Sequence, residues 1–125
     1  MKTIINTEKA PAAIGPYSQA VKANGLLFIS GQLPVNPAGG TMPATVEEQA
    51  RQSLANVVAI LAAAGLTANA VIKTTVFLKN MNDFATVNSV YAQYFTKEFP
   101  ARACVEVARL PKDALVEVEA IAVCK

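Results

Sequence analysis

The chain has 125 residues, 53% of them hydrophobic and 16% charged, with a formal net charge of +2, a length that suits one domain with a real core and is too short for two. Charge falls well below the roughly 25% of an average globular chain, leaving few ionic groups to coat a monomer, so part of the surface is expected to be buried in an oligomer. There is no histidine and there are two cysteines, Cys104 and Cys124, which excludes Ser-His-Asp and Cys-His nucleophile systems, histidine metal sites, a structural zinc site and a secreted disulfide framework.

In chain order, Met1 to Pro11 holds polar and acidic positions without an apolar run, so no secretory signal is expected; a short strand at Thr3 to Ile5 is possible. Tyr17 to Ser30 reads as two antiparallel strands around Asn24-Gly25, a dipeptide that tolerates positive φ and so favours a tight hairpin. The turn-rich stretch from Pro34 to Pro43 is a loop. Thr45 followed by Glu48 predicts a capping box, each side chain satisfying an orphan amide. Val46, Ala50, Leu54, Val57, Val58 and Leu61 then recur close to a 3.6-residue period, with Gly65 as the stop, predicting a helix over 46–64.

Val71 to Leu78 is rich in β-branched residues and reads as a strand. A second helix is expected to begin at Asn82 or Asp83, with Phe84, Val87, Tyr91, Tyr94 and Phe95 on its apolar side and Pro100 closing the region. Two further strands, Ala101 to Ala108 and Leu115 to Val123, flank Leu110-Pro111-Lys112-Asp113-Ala114. This order predicts an α+β fold, one sheet with both helices on one face. The other sheet face then needs a cover, and a partner subunit is the expected one.

The 11 basic and 9 acidic residues are scattered from Lys2 to Lys125 and form no stripe that could follow a phosphate backbone, so nucleic acid is not an expected partner. No segment reaches the ~18 consecutive apolar residues of a membrane span. A soluble protein of a reducing cytoplasm is expected.

Alternation along a strand puts Arg102, Cys104 and Glu106 on one face, and puts Glu117 and Glu119 among Leu115, Ile121 and Val123 on another. Two carboxylates on an apolar face admit two readings. They either lie near a solvated edge or beside a base, or they serve chemistry. An arginine grips a carboxylate in a fork and keeps its own charge, while a partly desolvated glutamate is tuned toward neutrality and exchanges protons with water. Arg102 and Glu117 are the candidate pair; the plainer reading of Arg102 is a surface strand arginine. Ser30-Gly31-Gln32 lies where a strand enters a loop, and a glycine there allows close backbone approach to a ligand, or merely turns the chain. Tyr17 reads as core or ligand contact, Asn88 as solvent-facing, and Cys104 as an inert thiol without a histidine to activate it. No phosphate loop, dinucleotide fingerprint or metal-ligand cluster is present.

The stretches Ala10-Pro-Ala-Ala-Ile-Gly-Pro-Tyr17, Ile29-Ser-Gly-Gln32, Pro100-Ala-Arg-Ala-Cys-Val-Glu-Val-Ala-Arg-Leu-Pro111 and Val116-Glu-Val-Glu-Ala120 together resemble the RidA (YjgF) family of reactive-intermediate enamine and imine deaminases, nearly end to end. The resemblance implies a single domain over 1–125 with a chorismate-mutase-like α+β fold, assembled as a homotrimer with active sites between subunits. It implies hydrolysis of 2-imino acids, chiefly 2-iminopropanoate and 2-iminobutanoate, to 2-oxo acids and ammonia, without metal or organic cofactor. The imines would come from pyridoxal-phosphate enzymes such as threonine dehydratase. By matching position, Arg102 would hold the substrate carboxylate with the Gly31 amide, and Glu117 would activate water. Tyr17, Ser30 and Asn88 would line the pocket, with Cys104 as a wall. Val118 stands where the family usually carries Met or Ile, and 95–100 looks shorter than in close relatives, which touches the pocket rim. The alternative is a non-catalytic trimer that binds small carboxylates or acts as a regulatory or chaperone-like protein.

Overall fold

The computed structural model describes residues 1–124. Asn24 and Gly25 both take positive φ, 51° and 75°, the mirror-image turn whose twist matches that of paired strands. The hairpin so formed joins β2 (Ala20–Ala23) to β3 (Leu26–Gln32), and β1 (Thr3–Ile5) pairs with the outer edge of β2. Tyr17 lies ahead of β2 rather than on a strand. Gly15 at φ 123° and the Tyr17 amide donating to the Gly15 carbonyl at 2.9 Å turn the chain there.

Helix α1 (Val46–Ala63) starts at Thr45, whose hydroxyl oxygen accepts from the Glu48 amide at 3.2 Å. The reciprocal half of the expected box differs. The Glu48 carboxylate accepts from the Thr45 hydroxyl at 3.0 Å and not from its backbone amide. At the other end the Gly65 amide bonds to the Ala62 carbonyl and the Leu66 amide to the Leu61 carbonyl, with Gly65 at φ 76°, a Schellman closure that a left-handed residue makes possible.

Strand β4 (Val71–Leu78) spans the expected residues. Helix α2 (Phe84–Tyr94) enters through a 3-10 turn, Met81–Asp83, capped by the Asn80 side chain accepting from the Asn82 amide at 2.9 Å. The cap therefore lies two residues before the earlier expected start, and Phe95 falls outside the helix. Strands β5 (Ala101–Glu106) and β6 (Val116–Val123) are each shorter than the sequence pattern suggests.

The six strands form one sheet in the order β1-β2-β3-β6-β4-β5. β6 runs antiparallel between β3 and β4, whereas β4 and β5 pair in parallel. Thus α1 carries the chain from β3 across β6 to β4, and α2 carries it from β4 to β5. Both helices lie on one face, giving the expected α+β architecture. Leu27 and Ile29 of β3, Thr74, Val76 and Leu78 of β4, and Val116, Val118, Ala120 and Ala122 of β6 point into that layer. They meet Leu54, Val57, Ile60 and Leu61 of α1 and Val87, Val90 and Tyr91 of α2. Burying each large aliphatic side chain there contributes about 1.5–3 kcal/mol.

No element of the described residues covers the opposite face. Phe28, Val105 and Val123 remain 44%, 41% and 40% exposed on it. Among the described residues, no helix is long and apolar enough to cross a membrane.

Candidate active site

The site residues named from sequence fall into two groups on opposite sides of the sheet. Tyr17, Ser30, Gly31 and Glu117 line a cleft of about 950 Å³ that also takes in Glu119 and Lys112. A bulge in β3 makes this possible. The pairing with β6 moves from Ile29–Ala120 to Gln32–Val118, so Ser30 and Gly31 together oppose Glu119, and such an insertion re-aims backbone and side chains. The Ser30 hydroxyl donates to the Ser18 carbonyl at 2.6 Å, and the Gln32 side-chain amide donates to the Ser30 carbonyl at 3.0 Å. Ser30 oxygen lone pairs stay available to accept from a ligand.

Buried amides frame this cleft. Gln19, 2% exposed, accepts from the Thr7 amide and donates to the carbonyls of Thr7, Ala10 and Pro11, which pins the N-terminal segment along one wall. From α1, Asn56 donates to the carbonyls of Leu33 and Val35, both at 3.0 Å. Gln49 donates to the Pro43 carbonyl and accepts from the Leu115 amide. On the far rim, Lys112 and Asp113 are consecutive left-handed residues, φ 59° and 55°, and the Asp113 carboxylate takes two bonds from the Arg109 guanidinium at 2.7 and 3.2 Å.

Glu117 is half-buried, and its carboxyl group is pushed above the ordinary 4.5 first by loss of water around it and then by the neighbouring Glu119 charge. A carboxyl group so tuned holds and releases protons closer to neutral pH.

Arg102 belongs to the other group. Its register partner on β4 is Thr74, which is fully buried on the helix side and bonded at 2.7 Å to the Tyr91 hydroxyl of α2. The guanidinium donates to the Asn88 side-chain oxygen at 2.7 Å and lies 4.7 Å from the Tyr91 ring centroid and 5.5 Å from that of Phe84. Among the described residues the ion pairs are Arg51 with Glu47 and Arg109 with Asp113, and Arg102 takes part in neither. It is a cation held by an amide oxygen and two aromatic faces, with spare donors for an anion. Cys104, two residues along the same face, has its thiol pushed up by burial against a smaller opposing pull from Arg102, so it is an unreactive neighbour at neutral pH.

Asn88 is exposed, as its position suggested, and from there its side-chain oxygen accepts from Arg102. Phe84, Asn88 and Tyr91 stand at i, i+4 and i+7 and so share one side of α2, a spacing that marks the cradle in the sequence. The cleft's Lys112 carried no such signal, whereas Glu119 was marked by sharing the strand face of Glu117.

The family model described as Endoribonuclease L-PSP matches residues 7–124. The chain belongs to the RidA (YjgF) family. This RidA-family chain is 60% identical over 126 residues to the 2-iminobutanoate/2-iminopropanoate deaminase of Escherichia coli K12, with 98% of each chain covered. It is 61% identical over 129 residues to a RutC family protein of Haemophilus influenzae, covering 100% of this chain and 99% of the relative. The crystal structure of E. coli TdcF with bound serine superposes with a TM-score of 0.95 at 54% identity, covering 98% of this chain and 99% of that one.

Within this RidA-family fold the two groups cannot meet in one chain. Glu117 alternates with Val116 and Val118, which are buried under the helices, so it faces the uncovered side, while Arg102 faces the helix side at the β5 edge. One chain offers an acid in a cleft on one face and an anion grip on the other.

Proposed function

We propose that the chain hydrolyses 2-imino acids and their enamine tautomers, with 2-iminopropanoate and 2-iminobutanoate as substrates, at sites completed where copies of a homotrimer meet. The observation that carries this reading is the Arg102 guanidinium, anchored on Asn88 and two aromatic rings and unpaired with any acid of the described residues. Its fork matches a carboxylate. The cleft of a neighbouring copy brings Glu117, Ser30, Tyr17 and the Gly31 amide to the imine end, and Cys104 walls the grip side.

An iminium carbon is already electrophilic, so positioning and proton transfer suffice. Ionised Glu117 takes a proton from water as its oxygen bonds to that carbon, giving a carbinolamine. The acid returns this proton to nitrogen, the C–N bond breaks to release ammonia, and the hydroxyl proton passes to Glu117 as the oxo group forms. Glu117 then gives it to solvent or to ammonia. No histidine is needed for any of these transfers.

A second reading has its own support in the serine bound to TdcF, whose structure is similar: the clefts bind small carboxylates without turnover and serve a regulatory or chaperone-like trimer. Ribonuclease action, suggested by the family model's description, lacks support from a chain without histidine or a basic stripe.

A coupled assay separates the readings. With a threonine dehydratase supplying the imine, the protein should accelerate release of 2-oxobutanoate and ammonia. Arg102→Ala should abolish that acceleration while the assembly stays intact, and Glu117→Gln should lower turnover by about 10²–10⁴-fold. No acceleration by the unaltered protein would favour binding alone, and full activity in Arg102→Ala would overturn the assignment.

A further inference from the structure

Gly31 differs from the chain's other five glycines. Gly15, Gly25, Gly40 and Gly65 have positive φ, and a Cβ on Gly39 would find nothing nearer than 3.9 Å. Gly31 has no left-handed backbone to require a glycine. A Cβ placed there would instead lie 2.5 Å from Glu117 Oε2, 2.8 Å from its Cδ and 3.3 Å from its Cγ. The first two are closer than carbon and oxygen or carbon and carbon can pack. Gly31 occurs within the β3 bulge, where two residues face one on β6.

We propose that Gly31 is a positioning residue for Glu117, its missing side chain being the space in which the carboxyl group rests against β3. The kinetic part of this inference rests on the hydrolysis proposed above. The groups around that carboxyl are Glu119 on its own strand, Lys112 and Tyr17 from the loops lining the cleft, uncharged Ser30 from β3 and Phe77 as its register partner on β4. The acid's elevated proton affinity comes first from lost hydration and then from Glu119, so it depends on the carboxyl staying in this seat. The clash falls on the flexible end of a side chain and not on backbone. Gly31→Ala should therefore fold and move the acid.

The test titrates the Glu117 carboxyl carbon by NMR in protein with ¹³C-labelled glutamate, assigned with Glu117→Gln. In the unaltered protein the midpoint should lie above 4.5, and in Gly31→Ala it should drop toward that ordinary value. On the imine, Gly31→Ala should lose kcat by about as much as Glu117→Gln, roughly 10²-fold or more, and the double variant should lose no more. A rise in KM with kcat and titration unchanged would assign Gly31 only to substrate contact and overturn the proposal, as would a loss that multiplies with that of Glu117→Gln. The titration decides the matter even if the unaltered protein hydrolyses no imine, so the two readings fail separately. If Gly31→Ala does not fold, the pair Gly31→Ala/Glu117→Ala decides: folding restored by removing the acid supports the steric seat, and failure of both refutes it.

Discussion

Arg102 and Glu117 are prepared by opposite means. The guanidinium keeps its charge whatever surrounds it, so its surroundings supply direction: Asn88 fixes one nitrogen and the rings of Tyr91 and Phe84 fix the plane. Arg102→Lys keeps the charge and loses the fork, so KM for a 2-imino acid should rise about tenfold or more with a smaller change in kcat, as steady-state kinetics would show. Glu117 is tuned through its proton. Because Glu119 opposes ionisation of Glu117, Glu119→Gln should move the acidic limb of the kcat/KM profile to lower pH, toward 4.5 and not away from it. In the sequence Glu117 stood out as one of two carboxylates on an apolar strand face, and Arg102 as a strand cation sharing its face with Cys104 and Glu106. The i, i+4, i+7 spacing of Phe84, Asn88 and Tyr91 was also present there, whereas the closeness of Gly31 to the Glu117 carboxyl was not legible. Strand alternation assigns a face, but only three-dimensional register shows which carboxyl group lies over which glycine.

Among the elements, those defined by local rules were readable to within a few residues. The Asn24-Gly25 hairpin, Thr45 at the start of α1, Gly65 at its end and the β-branched run of β4 each follow from backbone chemistry within a few residues. Thr45→Ala should cost about 1 kcal/mol, lowering the thermal midpoint by about 4 °C without altering imine kinetics, as calorimetry and the coupled assay would check. Harder to read were Gln49, Ser53 and Asn56, polar residues buried in α1. A periodic count of apolar positions passes over them, yet Gln49 and Asn56 satisfy the carbonyls of the loop that walls the cleft. Those carbonyls are 6 to 23 residues away in sequence, so no local pattern announces them. The β3 bulge was equally hidden, since it belongs to a pairing between distant strands.

For the whole molecule, the low charge content already implied a covered surface, and the fold leaves the sheet face carrying Phe28, Val105 and Val123 without a layer of its own. The proposed homotrimer accounts for both. It should sediment at three times the mass of one chain. It also predicts complementation. Arg102→Ala and Glu117→Gln chains, each inactive alone, should regain about a quarter of the native sites when unfolded together and reassembled at equal amounts, because a closed ring pairs the intact arginine of one with the intact acid of the other. If both residues served a site within one chain, mixing would restore nothing.

The placement of Arg102 at the β5 edge and of Glu117 on the uncovered face has a kinetic corollary. If the proposed assembly completes each site, separated subunits are bystanders, so upon serial dilution the turnover per milligram should fall once subunits begin to part. Output would then climb faster than linearly with the amount of polypeptide synthesised, and the protein's abundance would act as a threshold on its own chemistry.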